Sequence, residues 1–436
     1  MWMSMSNSSL NRLSSEPHYF PLSSQQKLWV NYGLCEQSSY GSTLAKASLL
    51  QGKLNRSALT RALLTAAERH PMMRVRFAKV GNGVVHRLEP HQKLAHSEID
   101  LTHLPELERI PHADKLIENL VWQPGPFLEK APFRSAVIIL DQLRTILVIA
   151  SDHIVCEGAS QDILVKEVNA LYRSYVNEIA PPLLPAAGHY WDYVKWQENW
   201  LASDKAKRHV AECDRLLSSA RLPFDEDTSI TTQPPRKLAI FTLMQEEIAL
   251  VDTYCRAENC SRFIFFLTAY VYSIVQFTGN DSVTCTYPIA LRNGSAFQHS
   301  VGYYSALSIM QVSLPQKVSF REAIKLVAMA CREGYAHHSA LMSWSVPLSN
   351  TLSFAYYNFD RPHWDFENVT AAEYTWNLEP SFSSKHLYLP PLLAIRPKAD
   401  GTLDFCLTHV THGLSPNPDE TFVAGIEVLI KQQIST

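Results

Sequence analysis

The chain has 436 residues, more than one ordinary compact core organises, so two domains of roughly 200 residues each are expected. Hydrophobic residues make up 46% and charged residues 19%, which excludes a disordered chain. A formal net charge of −3, without any long run of Lys and Arg, argues against nucleic acid as a partner.

Residues 1–17 read as a loose tail, with neither the basic start nor the apolar run of a secretory leader. In 55–69, NRSALTRALLTAAER, the spacing of Leu59, Ala62, Leu63 and Ala66 predicts a helix behind the capping residue Asn55, with RVRFAKV (74–80) as its partner strand. FRSAVIIL (133–140) and RTILVIASDHIV (144–155) predict adjacent antiparallel strands joined by the turn DQLR, the second bringing His153 to its end. After Gly158 the period changes, and Ile163, Leu164, Val168, Leu171 and Tyr175 mark an amphipathic helix. NEIAPPLLPAAGHY (177–190) is rich in breakers and predicts a boundary between an N-terminal lobe over 18–180 and a linker plus C-terminal lobe over 181–436.

One or two helices with an aromatic face follow in the WDYVKWQENW segment. The second half reads as a strand (KLAIFTL), a helix (EEIALVDTYCRAE), a buried core helix at 263–277 and a strand (SVTCTYPIAL). At 15 residues, 263–277 is shorter than the roughly 20 that span a bilayer, so no membrane partner is expected. ALSIMQVSL, NTLSFAYYNF, LYLPPLLAIRP and LDFCLTHV predict further strands before a closing helix at 418–433. Strands and helices interleave in both halves, giving an α/β or α+β chain of two similar lobes. The eight cysteines, Cys35 and Cys156 among them, include no C-x-x-C pair, so neither a disulfide framework nor a zinc site is expected, and a reduced cytoplasm fits. His337, His338, His409 and His412 show no metal-ligand spacing, and no metal is predicted.

Residues 151–160, SDHIVCEGAS, carry the candidate chemistry. A neutral imidazole takes a proton near pH 7 and so activates an amine or alcohol; a carboxylate a few residues away orients the ring or its loop, and a glycine lets the backbone bend. His153, Glu157 and Gly158 supply these in the order H-x-x-x-E-G. On the pattern alone, a lone histidine at a strand end is more often structural than catalytic.

The segment resembles the condensation-domain superfamily of nonribosomal peptide synthesis, whose motif there is His-His-x-x-x-Asp-Gly. The resemblance runs from about residue 20 to the end. It includes PLSSQQKLWV (21–30), ERHPMMRVRF (68–77), APFRSAVIIL (131–140), DYVKWQENWL (192–201), TYPIALRN followed by SVGYYSALSI (300–309), and SFREAIKLVAMACREGYAHH (319–338). It implies two chloramphenicol-acetyltransferase-like lobes in a V-shaped pseudo-dimer, with the active site in a tunnel between them. It also implies transfer of an acyl group from a carrier-protein phosphopantetheine thioester to an amine or alcohol, forming an amide or ester. No intrinsic cofactor is implied, since phosphopantetheine arrives on the acyl or peptidyl carrier protein. Nothing resembling an adenylation domain flanks the lobes, so the expectation is a monomer acting in trans on separate carriers and a small-molecule or carrier-bound acceptor, or else a piece excised from a larger synthetase.

By position His153 is the implied base, and backbone donors near Gly158 are candidates to hold the oxyanion. Glu157 replaces the family Asp, with Arg74 as its implied partner. Asp152 replaces the first His, and Asp152, Glu157 and Ser160 fall on the Asp-x-x-x-x-Asp-x-x-Ser spacing of the heterocyclisation branch, which lacks the histidine found here. Arg292 and Gly302 match positions that shape the second lobe near the tunnel, though Arg292 is equally explained as an ordinary ion-pair partner. Ser305 stands where the family has Asn. Tyr303, Tyr304, Tyr356 and Tyr357 are tunnel candidates, with aromatic core packing the commoner explanation. Two other functions stay open: a catalytically degenerate carrier-binding module, and an acyl-CoA-dependent acyltransferase.

Overall fold

A computed structural model describes residues 16–31, 43–123, 126–221, 225–226, 236–292, 295–336, 351–357, 362–376, 392–398, 400–410, 414–415 and 420–435. Its first half contains β1 (His18–Phe20), α1 (Ser24–Asn31), β2 (Thr43–Gly52), α2 (Arg56–Arg69), β3 (Arg76–Val80), β4 (Gly83–Leu88), β5 (Ala95–Asp100), α3 (Glu106–Trp122), β6 (Phe133–Ile139), β7 (Arg144–Asp152) and α4 (Gly158–Val176). There follow α5 (Tyr190–Leu201), α6 (Asp204–Ser219), β8 (Asp225–Glu226), β9 (Arg236–Leu243), α7 (Gln245–Ala257), α8 (Arg262–Thr278), β10 (Ser282–Ala290), β11 (Ser305–Ser313) and α9 (Phe320–Ala336). The last elements are β12 (Leu352–Tyr356), β13 (Val369–Glu373), β14 (Leu392–Pro397), β15 (Leu403–Val410), β16 (Leu414–Ser415) and α10 (Glu420–Ile434).

The described residues of Met1–Asn199, Arg292–Tyr304 and Arg361–Ser383 form one compact unit, and those of Trp200–Leu291, Ser305–Asp360 and Ser384–Thr436 another. The break expected at 180/181 therefore falls inside the first unit, which two later segments rejoin. Hydrogen bonding gives the reason. Gly188 N–H donates to the Ala296 carbonyl at 2.8 Å and Ser300 Oγ donates to the Gly188 carbonyl at 2.6 Å, stitching the proline-rich segment down. β13 adds to β2 with Val369 opposite Gly52 and Glu373 opposite Ser48.

The first unit's main sheet has the order β13-β2-β7-β6-β5. β6 is buried along its whole length and β7 everywhere but its end residues, as their apolar runs require. They pair antiparallel, Phe133 opposite Ser151 and Ile139 opposite Thr145. Asn55 caps α2, its side-chain oxygen accepting from the Ala58 amide at 3.0 Å, and the buried face includes Leu59, Ala62, Leu63 and Ala66. The predicted strand 74–80 starts later, at Arg76, because Pro71 opens a tight turn whose carbonyl accepts from the Arg74 and Val75 amides. It pairs with β4 in a small sheet of order β1-β4-β3.

The second unit is built on a sheet of order β11-β10-β12-β14-β15-β9. α8 supplies much of its core through Phe265, Phe266, Tyr270, Ile274 and Val275. Among the described residues no single helix is long and apolar enough to cross a membrane. α9 packs tightly on β11: a Cβ at Gly334 would stand 1.8 Å from the Ile309 carbonyl oxygen.

Candidate functional site

β7 ends at Asp152, and the following residues turn into α4 rather than continuing the strand to Val155. The Val155 amide donates to the Asp152 carbonyl at 3.0 Å, which bends the chain at His153. Gln26 of α1 pins the turn by donating from Nε2 to the Ile154 carbonyl at 2.7 Å. The His153 ring stands between two aromatics, with centroids 5.7 Å from Trp29 and 5.2 Å from Tyr303, the latter edge-on. Its Nδ1 is buried and meets no hydrogen-bond partner among the described residues. Burial lowers the His153 pKa below the ordinary 6.5, against the backbone of His153 and Cys156, which raises it. The ring is thus biased towards neutral imidazole.

Glu157 departs from its expected partner. It pairs with Arg292, whose Nε donates to Oε1 at 2.8 Å, and both side chains are nearly buried. Burial raises the Glu157 pKa, and the Arg292 charge and hydrogen bond draw it down. Arg74 is turned elsewhere, donating to the carbonyls of Ala67 and Gln92, because it leaves the tight turn before β3 on the side of α2. Arg292 also donates from Nη2 to Ser160 Oγ at 2.7 Å and from Nη1 to the Phe297 and Ser300 carbonyls. Ser160 Oγ in turn donates to the Gly302 carbonyl at 2.8 Å and accepts from the Gly302 amide at 3.1 Å. A Cβ at Gly302 would lie 2.4 Å from Tyr190 Cδ2, so only glycine lets the loop close here. Tyr304 lies under Arg292, its ring centroid 4.5 Å from the guanidinium carbon. Glu157, Ser160, Arg292, Gly302 and Tyr304 are one network. It groups with the first unit, which includes Arg292–Tyr304.

Asp152 is held away from this network. Arg134 Nη1 donates to its Oδ1 at 2.9 Å and Thr43 Oγ1 at 3.3 Å; burial raises its pKa, opposed by Arg134 and Lys130. Gly158 opens α4. Cys156, beside the histidine, is not an activated nucleophile: burial pushes its thiol up to about 12. Tyr356 and Tyr357 belong to the second unit, where Tyr356 packs on Phe266 and Arg396 lies over Tyr357. Ser305 also belongs there, opening β11 opposite Ala290.

Trp29, Gln26 and Arg134 stood inside segments singled out in the sequence without being singled out themselves. A further buried set went unread: His70 Nε2 lies 2.7 Å from Glu167 Oε2, and the Val301 amide donates to His70 Nδ1 at 3.4 Å. This set supports the loop carrying Gly302 and Tyr303. Only tertiary structure joins these residues, since His70 and Glu167 are 97 positions apart. His337, His338, His412 and Cys35 lie outside the described residues, and among those described no group of three or more His, Cys, Asp or Glu is placed to hold a metal.

The mixed sheets, their covering helices and the strand-to-helix turn define a two-lobed chloramphenicol-acetyltransferase-like α/β fold. Among solved structures similar to it are the condensation domain of the monacolin K polyketide synthase MokA (TM-score 0.77, 13% identity, 96% of this chain and 97% of that one) and the X-domain of teicoplanin biosynthesis in complex with OxyB (TM-score 0.71, 16% identity, 99% and 96%). The chain belongs to the condensation-domain family, whose model matches residues 16–341. It is similar to a linear gramicidin synthase of Brevibacillus parabrevis, at 26% identity over 330 residues. That match covers 74% of this chain and 6% of the synthase polypeptide, so the chain corresponds to one small part of a far longer relative.

Proposed function

We propose that the chain transfers an acyl group from the phosphopantetheine thioester of a carrier protein, acting in trans, to an amine or alcohol. The acceptor's nitrogen or oxygen attacks the thioester carbonyl carbon while His153 takes its proton. The resulting tetrahedral adduct collapses with cleavage of the C–S bond, and the sulfur leaves as a thiol carrying the proton back from His153. No resident metal or redox group is required by this chemistry, and the cytoplasm supplies both substrates.

The observation that carries the reading is the state of His153: a ring with lowered pKa, at a turn fixed by Gln26 and followed by the Glu157–Arg292 pair. Asp152 replaces a histidine, yet its carboxylate is bonded to Arg134 and Thr43 and leaves His153 unencumbered. The decisive experiment incubates acylated carrier with amines and alcohols and detects transferred acyl groups by mass. His153→Ala is expected to abolish transfer while leaving the thermal unfolding midpoint near wild type. Retention of most activity would overturn the assignment. The X-domain structure with OxyB favours a second reading, a carrier-binding or recruiting module without chemistry. That reading requires the wild-type chain to bind carrier and transfer nothing. Offering acyl-CoA beside acyl-carrier distinguishes a CoA-dependent acyltransferase.

A further inference from the structure

Adjacent tyrosines in the loop 300–304 are used differently. Tyr304 is fully engaged: its hydroxyl lies 2.7 Å from Ser300 Oγ, and its ring packs against Arg292 and Tyr190. Tyr303 faces the histidine. Its ring stands edge-on to His153 at 5.2 Å and to Trp29 at 6.0 Å, and its hydroxyl oxygen accepts from Trp29 Nε1 at 3.0 Å. That bond uses a lone pair and leaves the phenolic proton, which meets no acceptor among the described residues. The proton stays on the oxygen, because burial pushes the Tyr303 pKa up to about 12. Tyr190 fixes the residue from behind by donating to the Tyr303 carbonyl at 2.8 Å. A phenyl ring would pack equally well between His153 and Trp29, so the hydroxyl needs a reason of its own.

We infer that Tyr303 is a catalytic hydrogen-bond donor, its hydroxyl oriented by the Trp29 indole towards the thioester oxygen as that oxygen becomes an oxyanion. The inference rests on the acyl-transfer reading above. As the acceptor bonds to the carbonyl carbon, the π pair moves onto oxygen and the acceptor's proton goes to His153. On collapse the pair returns, the C–S bond breaks and the thiol departs with that proton. Tyr303 keeps its own proton throughout. Donation from Trp29 polarises the phenolic O–H, and the bond to the oxygen strengthens as negative charge develops, so the effect falls on the chemical step.

The test measures kcat and KM of the full chain with short- and medium-chain acyl-pantetheine thioesters and a panel of primary amines and alcohols. Removing one oxyanion donor typically costs about 100-fold or more in kcat. Tyr303→Phe is expected to show that loss with KM changed less than about twofold, alongside an unfolding midpoint that shows the variant is folded. Trp29→Phe, which leaves the phenol in place but unoriented, is expected to lower kcat several-fold and gives a second reading should Tyr303→Phe fold poorly. Wild-type kcat in both variants would overturn the donor role while leaving acyl transfer standing, and so would an effect confined to KM. A wild-type chain that transfers from neither these thioesters nor acylated carrier protein would overturn the acyl-transfer reading, and the donor role with it.

Discussion

His153 sits where burial favours the uncharged ring, and this sets the sign of a pH dependence. In the proposed role of base His153 works when neutral, so a lowered pKa keeps it competent further into acid. With an alcohol acceptor, which does not titrate in this range, the acid limb of kcat is expected to fall below the ordinary histidine value of 6.5. A pH–rate profile with its limb at or above that value would contradict the buried environment. In the sequence the residue was legible as a histidine at the end of an apolar strand. Its neighbours were legible only as members of motifs: Trp29 and Tyr303 lie far apart in the chain, and no periodicity links them. Glu157 shows the same limit: the resemblance implied Arg74 as its cation, whereas the fold brings Arg292 to it and engages Arg74 with the Ala67 and Gln92 carbonyls.

At the scale of elements, the turn from β7 into α4 is clamped from both ends, by Arg134 on Asp152 and by Arg292 on Glu157. Breaking one partner of a buried ion pair leaves an uncompensated charge and costs about 3–5 kcal/mol, whereas removing both costs far less. Glu157→Ala and Arg292→Met are each expected to show that loss in denaturant unfolding, and the double variant much less than their sum. Simple additivity would mean that the pair contributes nothing as a pair. The elements carrying this turn were legible because β6, β7 and α4 have one-sided or continuous apolar patterns. β2, reading TLAKASLLQG, has no clean alternation, and α3 carries Pro111 inside it; both escaped notice. β13, VTAAE, is too short and too mild in composition to announce itself, and its identity comes from pairing with β2.

For the whole molecule, the lesson is that the units are not consecutive stretches of sequence. A proline-rich segment looked like a boundary because breakers usually mark one, yet the first unit takes Arg292–Tyr304 and a strand from beyond residue 360 back into itself. A fragment ending at residue 199 would lack β13 and leave Glu157 buried without its cation. It is expected to show little near-ultraviolet circular dichroism and rapid amide exchange in β2, and a fragment with native-like protection there would contradict this architecture. The return of Arg292 to Glu157 also has a meaning for biosynthesis. During translation Glu157 leaves the ribosome 135 residues ahead of Arg292, the cation that steadies its turn. Until Arg292 has emerged, the Glu157 carboxylate has no buried cation to meet, so the turn that carries His153 is steadied only after the chain has returned to it.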